Sequence, residues 1–187
     1  EQIPAPDRER PDLFSRHQII AASTFMANKL EQLGCDRNLI SLAPCGVDPD
    51  LFQVGVPVGK VILAVGRFVP KKRPDLSIRA FSAIASKFPD ARLVMIGDGI
   101  LMSDCLRLVS SLGIEDRVSF LGVQPPDVIA AHMQRASIFV QHSVTVPNGD
   151  TEGLGVSLLE AMTSGLPLVV TRHNGFVDTV VDGVTGL

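Results

Sequence analysis

Short apolar runs alternate with amphipathic stretches along most of the chain. From residue 61 onward the apolar runs predict buried strands at 61–65, 92–96, 118–121, 138–140 and 167–171. The stretches between them predict helices at about 75–87, 102–111 and 126–135, and a fourth that ends near Gly165. Because each apolar strand is followed by a helix, the pattern predicts an α/β fold with a doubly wound parallel sheet.

The first 60 residues follow a different pattern. Residues 1–16 are polar and Pro-rich, and no regular structure is predicted for them. A strand at 18–22, a helix that Ser23 caps and that runs to about residue 33, and a strand at 39–43 follow. Two short strands and one helix cannot close a core alone. We therefore expect residues 1–50 to be the end of a domain whose beginning is missing, 51–60 a linker, and 61–187 a second domain.

Composition excludes several function classes. The net charge is −3 and the chain has no long basic run, which argues against nucleic acid as a partner. No apolar run reaches the roughly 18 residues that a membrane span needs. Cys35, Cys45 and Cys105 are widely spaced, which is typical of reduced cysteine and favours a cytoplasmic protein. The four histidines show no metal-ligand spacing, so neither a metal nor a cofactor is expected.

The fourth helix of the second domain carries the first candidate chemistry. Glu160 lies among apolar residues, and an unpaired buried carboxylate costs several kcal/mol unless a partner or ligand satisfies it. Glu152 precedes it by about two helical turns, and Gly153 and Gly155 flank Leu154 at the helix entry. Glycines there leave backbone N–H groups open to a ligand. This stretch predicts a site for an anionic, hydroxyl-rich ligand, although Glu152 could also be a simple capping residue.

The loop after the first strand of the second domain carries the second candidate. Gly66 and Arg67 leave the strand, and Lys72 lies just beyond them, so positive charge gathers at a carboxyl end where a diphosphate can bind. Lys71 and Arg73 are interpreted instead as part of a solvated basic turn. The loop has no G-x-G-x-x-G and no G-x-x-x-x-G-K-[ST], which argues against both NAD binding and P-loop nucleotide binding.

Five ordered motifs carry a resemblance to a known family. They are Gly66-Arg-x4-Lys72, Gly97-Asp-Gly99, Val118-x-Phe-Leu-Gly122, Glu152-Gly-x-Gly-x4-Glu160 and the terminal stretch 175–186. In this order they resemble the C-terminal, donor-binding domain of family 4 retaining glycosyltransferases (glycosyltransferase group 1), which have the GT-B fold. The resemblance covers about residues 17–187. It implies a Rossmann-like donor domain preceded by the end of an acceptor domain.

The resemblance implies transfer of a sugar from a UDP- or GDP-sugar to an acceptor glycan or lipid-linked sugar, with retention at the anomeric carbon. In such enzymes the departing phosphate itself assists the acceptor. By similarity, Arg67 and Lys72 would neutralise the diphosphate, and Glu152 would contact the donor sugar. The donor-binding set is expected to comprise Gly66, Arg67, Lys72, Gly153, Leu154, Gly155 and Glu160, with Glu160 on the ribose. The family also suggests polysaccharide or glycolipid biosynthesis and peripheral membrane association through the missing domain.

Three departures from the family pattern accompany the resemblance. Arg73-Pro74 replaces a glycine, His142 replaces a proline, and the stretch 174–178 replaces Gly-Gly-x-x-Glu, which places that part of the sugar subsite in question. Two alternatives stay open. One is a GT-B relative that binds a nucleotide sugar without transferring it, or an epimerase or phosphorylase, although no extra catalytic acid or cofactor lysine is evident. The other is a pure interaction module.

Overall fold

A computed structural model describes residues 17–187, which contain two separate parallel sheets. The first sheet pairs two strands, β1 (Ile19–Ala21) and β2 (Ile40–Leu42), joined by the helix α1 (Thr24–Gln32). The Ser23 hydroxyl accepts a hydrogen bond from the Met26 N–H at 3.2 Å, so the predicted cap of α1 is confirmed. The prediction for residues 1–16 lies outside the described residues.

The second sheet has five parallel strands. They are β3 (Lys60–Val65), β4 (Ala91–Ile96), β5 (Val118–Phe120), β6 (Ile138–Gln141) and β7 (Leu168–Val170). The helices that follow the first four strands are α2 (Pro74–Ala85), α3 (Met102–Ser111), α4 (Pro126–Arg135) and α5 (Val156–Thr163). The spatial order is β5-β4-β3-β6-β7, with all neighbours parallel. The predicted doubly wound sheet is therefore confirmed.

Hydrophobic side chains cover both faces of this sheet. Ala64 on β3 belongs to a core cluster with Phe81 of α2, whereas the adjacent Leu63 belongs to a second cluster with Met133 of α4 and Leu158 of α5. Leu63, Met133 and Leu158 are 0% exposed. Burying a side chain of this size contributes about 1.5–3 kcal/mol. The alternation explains why strands buried on both sides read as continuous apolar runs.

The strand order reverses direction between β3 and β6, and this position fixes where a ligand can bind. Ligands of open α/β sheets bind beyond the carboxyl ends of the strands at such a switch point. The turn after β4 packs directly on the loop after β3: the Phe68 N–H donates to the Asp98 carbonyl at 2.9 Å. Gly97 has φ +134, and a Cβ there would collide with the Gly66 carbonyl. Only glycine fits this approach, which accounts for the Gly97-Asp-Gly99 turn.

The small N-terminal sheet and its helix lie against the end of the described chain. The Thr24 N–H at the start of α1 donates to Asp178 Oδ2 at 2.5 Å, across 154 residues of sequence. Within this unit the side chain of Ile20 is 70% exposed. Phe52, within the predicted linker, is only 4% exposed and packs into the core of the five-stranded sheet. Among residues 17–187, no helix combines the length and apolar character that a membrane crossing requires.

Candidate functional site

The loop after β3 presents the predicted cations at the switch point. Arg67 is exposed and forms no salt bridge with any described residue. Lys72 ends a short 3-10 turn at Pro70–Lys72, and its side chain lines a small cavity together with Gly66, Arg67 and the end of β6. Arg73 turns away: its guanidinium forms two 2.8 Å hydrogen bonds with the Asp75 carboxylate. This pairing holds the pKa of Asp75 below its usual range.

Two of the predicted catalytic residues form an ion pair. Lys72 Nζ lies 2.6 Å from Glu152 Oε2, although 80 positions separate them in the chain. Both side chains are mostly buried, with 14% of Lys72 and 17% of Glu152 exposed. A lysine ammonium has three N–H donors, so two remain for another anion after one has bonded Glu152. The pair therefore joins the loop after β3, residues 66–72, which we call the cation loop, to the carboxylate at the entry of α5.

The entry of α5 has backbone N–H groups without a protein acceptor. Gly155 is the residue before the helix, with φ +87, and a Cβ there would lie 2.7 Å from the Phe176 ring. No N–H group of Gly153, Leu154 or Gly155 donates to another described residue. These amides stand at a helix N-terminus, where the helix dipole favours negative charge. The geometry at this point is suited to phosphate or sugar oxygens.

Glu160 lies one turn into α5 and is half-buried. Burial raises the pKa of its carboxyl above the ordinary value of 4.5. Its carboxylate forms no hydrogen bond or salt bridge with a residue in the described range 17–187, and its oxygens are not among the buried polar atoms that lack a partner, so solvent reaches them. The structure does not bring Glu160 into the cavity of Arg67 and Lys72. Its predicted role toward a ribose stays a prediction.

Lys71 is not the solvated residue that its sequence context suggested, and that interpretation is wrong. Its side chain is only 14% exposed, and its ammonium lies 2.9 Å from Asp150 Oδ1 and 3.2 Å from the Thr151 carbonyl. The Lys71 carbonyl also accepts the Val144 N–H at 2.8 Å. The hydrogen bond from Lys71 lowers the pKa of Asp150. Lys71 thus ties the loop that leads to Glu152 onto the cation loop.

A cluster of polar side chains next to Glu152 was not predicted from the sequence. Thr151 Oγ1 lies 2.9 Å from His173 Nε2, 2.9 Å from Thr145 Oγ1 and 2.6 Å from Asn174 Nδ2. Burial lowers the pKa of His173, against the opposing effect of the Glu152 carboxylate. The only signal in the sequence was an asparagine in place of the glycine that the family pattern carries at position 174.

Two further residues lie at the end of β6. Gln141 is 4% exposed, its Oε1 accepts the Ser157 hydroxyl at 3.1 Å, and its Nε2 has no partner among the described residues. Through this contact Gln141 holds the first turn of α5 against the sheet. His142 Nδ1 lies 3.2 Å from the Ser77 hydroxyl, and burial lowers the pKa of its ring. His142 lines the same cavity as Lys72.

A wider cavity of about 480 Å³ separates α1 from the entry of α5. Met26 and Leu30 of α1 line one wall, and Glu152, Gly153 and Leu154 line the other. Lys71 of the loop after β3 also lines this cavity, which therefore adjoins the Lys72–Glu152 ion pair. Among the described residues, no group of His, Cys, Asp and Glu has the arrangement of a metal site.

This fold and the position of its polar loops define the chain as a GT-B type domain. A glycosyltransferase from Rickettsia africae superposes on all of the chain with a TM-score of 0.80 at 18% identity, over 53% of its own length. The Anabaena protein HepE, solved in complex with UDP-glucose, superposes on 91% of the chain with a TM-score of 0.78 at 24% identity, over 49% of its length. At these identities the structures establish the fold alone.

The family follows from sequence comparison. Residues 52–187 match the family glycosyl transferases group 1, and the chain belongs to it. A GDP-mannose-dependent alpha-(1-6)-phosphatidylinositol monomannoside mannosyltransferase of Mycolicibacterium smegmatis is 34% identical over 76% of the chain. The amylovoran biosynthesis glycosyltransferase AmsK of Erwinia amylovora is 28% identical over 96%. The chain spans 41% and 45% of these two relatives, less than half of each. The predicted resemblance is thus confirmed for fold and family.

Proposed function

We propose that this chain is the donor-binding part of a retaining glycosyltransferase and that its site binds a nucleotide diphosphate sugar. The observation that carries the proposal is the Lys72–Glu152 ion pair at 2.6 Å, beside the backbone N–H groups before α5 that have no acceptor among the described residues. It places a cation, a carboxylate and backbone donors together at the switch point of the sheet. A diphosphate needs the cation and the backbone donors, and sugar hydroxyl groups need the carboxylate.

In this proposal each residue of the site contacts a different part of the nucleotide sugar. Arg67, which is exposed and forms no salt bridge with the described residues, donates to two phosphate oxygens, and Lys72 adds its two remaining N–H donors. Glu152 accepts hydrogen bonds from the donor sugar, supported by the N–H groups from Gly153 to Gly155. Glu160 accepts the ribose hydroxyl groups. Their binding would remove the cost of its half-buried, unpartnered charge.

The proposed reaction needs no protein nucleophile. As the bond from the anomeric carbon to the diphosphate breaks, negative charge grows on the leaving oxygen, and Arg67 and Lys72 stabilise it. The same phosphate takes the proton of the acceptor hydroxyl, whose oxygen bonds the anomeric carbon on the face that the diphosphate leaves. The configuration is then retained. Removing one well-placed charge stabiliser from such a site typically costs about 2.7–4 kcal/mol in the barrier.

The wider context is part of the same proposal. The donor is a UDP- or GDP-sugar and the acceptor a glycan or lipid-linked sugar, in keeping with the printed activities of the mannosyltransferase and polysaccharide-biosynthesis relatives. Residues 17–50 would be the end of the acceptor domain and 61–187 the donor domain. Three free cysteines and a nucleotide-sugar donor favour a cytoplasmic location. Association with a membrane surface would come from the acceptor domain.

Isothermal titration of the chain with UDP, GDP, UDP-glucose, GDP-mannose and inorganic pyrophosphate tests the proposal. Binding of one nucleoside diphosphate and its sugar, more tightly than pyrophosphate, is the expected result, because Glu160 and the helix entry add contacts beyond the diphosphate. Inorganic phosphate serves as the control for a diffuse basic surface. Binding that follows anion charge alone, or no binding, would leave an interaction module as the better description.

A further inference from the structure

Asn174 occupies a backbone conformation that most side chains avoid. It begins the 3-10 turn Asn174–Asp178 beyond β7, with φ +42. In the described part of the chain only one other non-glycine residue, Arg73, has a positive φ. Asparagine tolerates this region better than most residues, but glycine enters it with less strain. An asparagine at this position therefore costs more conformational strain than a glycine would. The contacts of its side chain indicate the role that the asparagine has here.

The Asn174 carboxamide reaches the backbone of the predicted sugar-contacting residue. Its Nδ2 donates to the Glu152 carbonyl at 3.0 Å and to Thr151 Oγ1 at 2.6 Å, and lies 2.9 Å from His173 Nε2. An amide nitrogen has two N–H donors, so the Glu152 carbonyl and one member of the Thr151–His173 pair account for both. The side chain thus bonds two successive residues of the loop at once.

The backbone next to Asn174 makes the same connection. A Cβ on Gly175 would collide with the Gly153 carbonyl, so the segments 174–175 and 152–153 lie in direct contact. On its other side Glu152 extends its carboxylate to Lys72 at 2.6 Å. Glu152 is therefore held at its carbonyl by Asn174 and at its carboxylate by Lys72. Two fixed points define the direction in which the side chain presents its remaining oxygen.

We propose that Asn174 is a positioning residue that fixes Glu152 for contact with the donor sugar. The inference rests on the proposed function, because it assigns Asn174 to the sugar half of that site and not to the diphosphate half. Asn174 lies behind Glu152 and acts through it. Loss of the carboxamide should therefore affect binding of a nucleotide sugar and leave binding of the free nucleoside diphosphate unchanged.

Two substitutions separate positioning from simple space filling. Asn174→Gly keeps the left-handed backbone and removes the carboxamide, whereas Asn174→Asp keeps the shape but cannot donate to the Glu152 carbonyl. Both should lower the ¹⁵N order parameters of Glu152 and Gly153 in the free protein. Both should weaken binding of UDP-glucose or GDP-mannose, whichever the unmodified chain binds, by about 5- to 10-fold, the equivalent of one hydrogen bond. The exposed Asn38→Gly is the matched control.

A double variant decides whether Asn174 acts through Glu152. In a Glu152→Gln background, Asn174→Gly should cause little further loss of nucleotide-sugar affinity, since the group that it positions is already impaired. Unchanged order parameters, an additive loss in the double variant, or an Asn174→Asp variant that behaves like the parent would each overturn the positioning role. Absence of nucleoside diphosphate binding in the parent chain would instead refute the proposed function, and the donor-binding role of Asn174 would be refuted with it.

Discussion

Replacing Lys72 by methionine tests whether the ion pair at the switch point serves ligand binding or only holds two loops together. Methionine keeps most of the apolar stem and removes the ammonium. In the free protein this leaves the Glu152 carboxylate, 17% exposed, without the partner that lies 2.6 Å away. In the complex it removes a cation from the proposed diphosphate site. The substitution therefore has two predicted effects, and they are measured separately.

The geometry sets the size of both effects. Breaking a fully buried ion pair costs roughly 3–5 kcal/mol, and because both side chains here keep some solvent contact we expect about 1–3 kcal/mol of lost stability. At about 2–4 °C per kcal/mol for a domain of this size, the melting temperature should fall by several degrees. A charge-assisted hydrogen bond to phosphate contributes about 1.5–3 kcal/mol, so nucleoside diphosphate affinity should fall about 10- to 150-fold.

Thermal unfolding measures the first effect, and isothermal titration with UDP and GDP at low salt measures the second. The matched control is Lys60→Met, because Lys60 also pairs with a carboxylate, Asp90, but at 3.8 Å and with both side chains more than half exposed. Exposed pairs contribute about 0–1 kcal/mol, so this variant should change neither quantity measurably. Glu152→Gln added to Lys72→Met should recover part of the lost stability, because no unpaired charge then remains.

Either of two combinations of results would refute the reasoning about Lys72. If the variant melts earlier, as expected, but binds UDP and GDP as tightly as the parent chain, the lysine is a structural partner of Glu152 and not a phosphate ligand. If affinity falls while stability is unchanged, the ion pair contributes nothing to folding and the proposed dual role is equally wrong.

Three further predictions concern the rest of the site. Arg67→Ala should weaken nucleoside diphosphate binding by about 1.5–3 kcal/mol without changing the melting temperature, because this exposed side chain has no ion pair among residues 17–187. The Glu160→Gln variant should have a larger free energy of unfolding than the parent chain near pH 7. Burial raises the pKa of Glu160 above 4.5, so the parent loses stability as the pH rises past that value and the two proteins converge below it. Measuring the free energy of unfolding of both proteins at several pH values from 4 to 8 checks the sign of this difference. The 187-residue chain should bind donor without transferring sugar to an added acceptor, as product analysis would show, because residues 17–50 provide two strands and one helix for acceptor positioning.

The fold was predictable because its signals are local. Each strand buried on both faces appears as an apolar run. The helices α3 and α5 end shortly before a glycine, and α2 and α4 begin at a proline. The five strands and four helices of the second unit therefore fall within a few residues of their predicted positions. The 3-10 turn at Pro70–Lys72 was not predicted, because its conformation depends on packing of the cation loop against the loop before α5. That packing joins residues far apart in the chain.

The contacts that organise the site were not predictable for the same reason. Lys71 and Asp150 are 79 positions apart, and neither residue carries a local signal that names the other. Without that contact, a Lys-Lys-Arg run is most simply interpreted as a solvated turn, and for Arg73, paired with its neighbour Asp75, a non-ligand interpretation still holds. Asn174 bonds Glu152 across 22 positions. Sequence reasoning identified which residues were unusual, but it could not identify their partners.

The ion pairs also indicate how charge is distributed before a ligand arrives. Lys71 is paired with Asp150 and Lys72 with Glu152, which leaves Arg67 as the cation of this loop that has no carboxylate partner in the range 17–187. A bound diphosphate must therefore compete with Glu152 for the Lys72 ammonium, whereas no carboxylate competes for the Arg67 guanidinium. Because an exposed guanidinium is screened by salt more than a buried ammonium, the Arg67 contribution should weaken first as ionic strength rises. Salt titration of UDP or GDP binding to Arg67→Ala and Lys72→Met should accordingly show the flatter salt dependence in the arginine variant. The opposite order would mean that Lys72, and not Arg67, provides the accessible charge of the site.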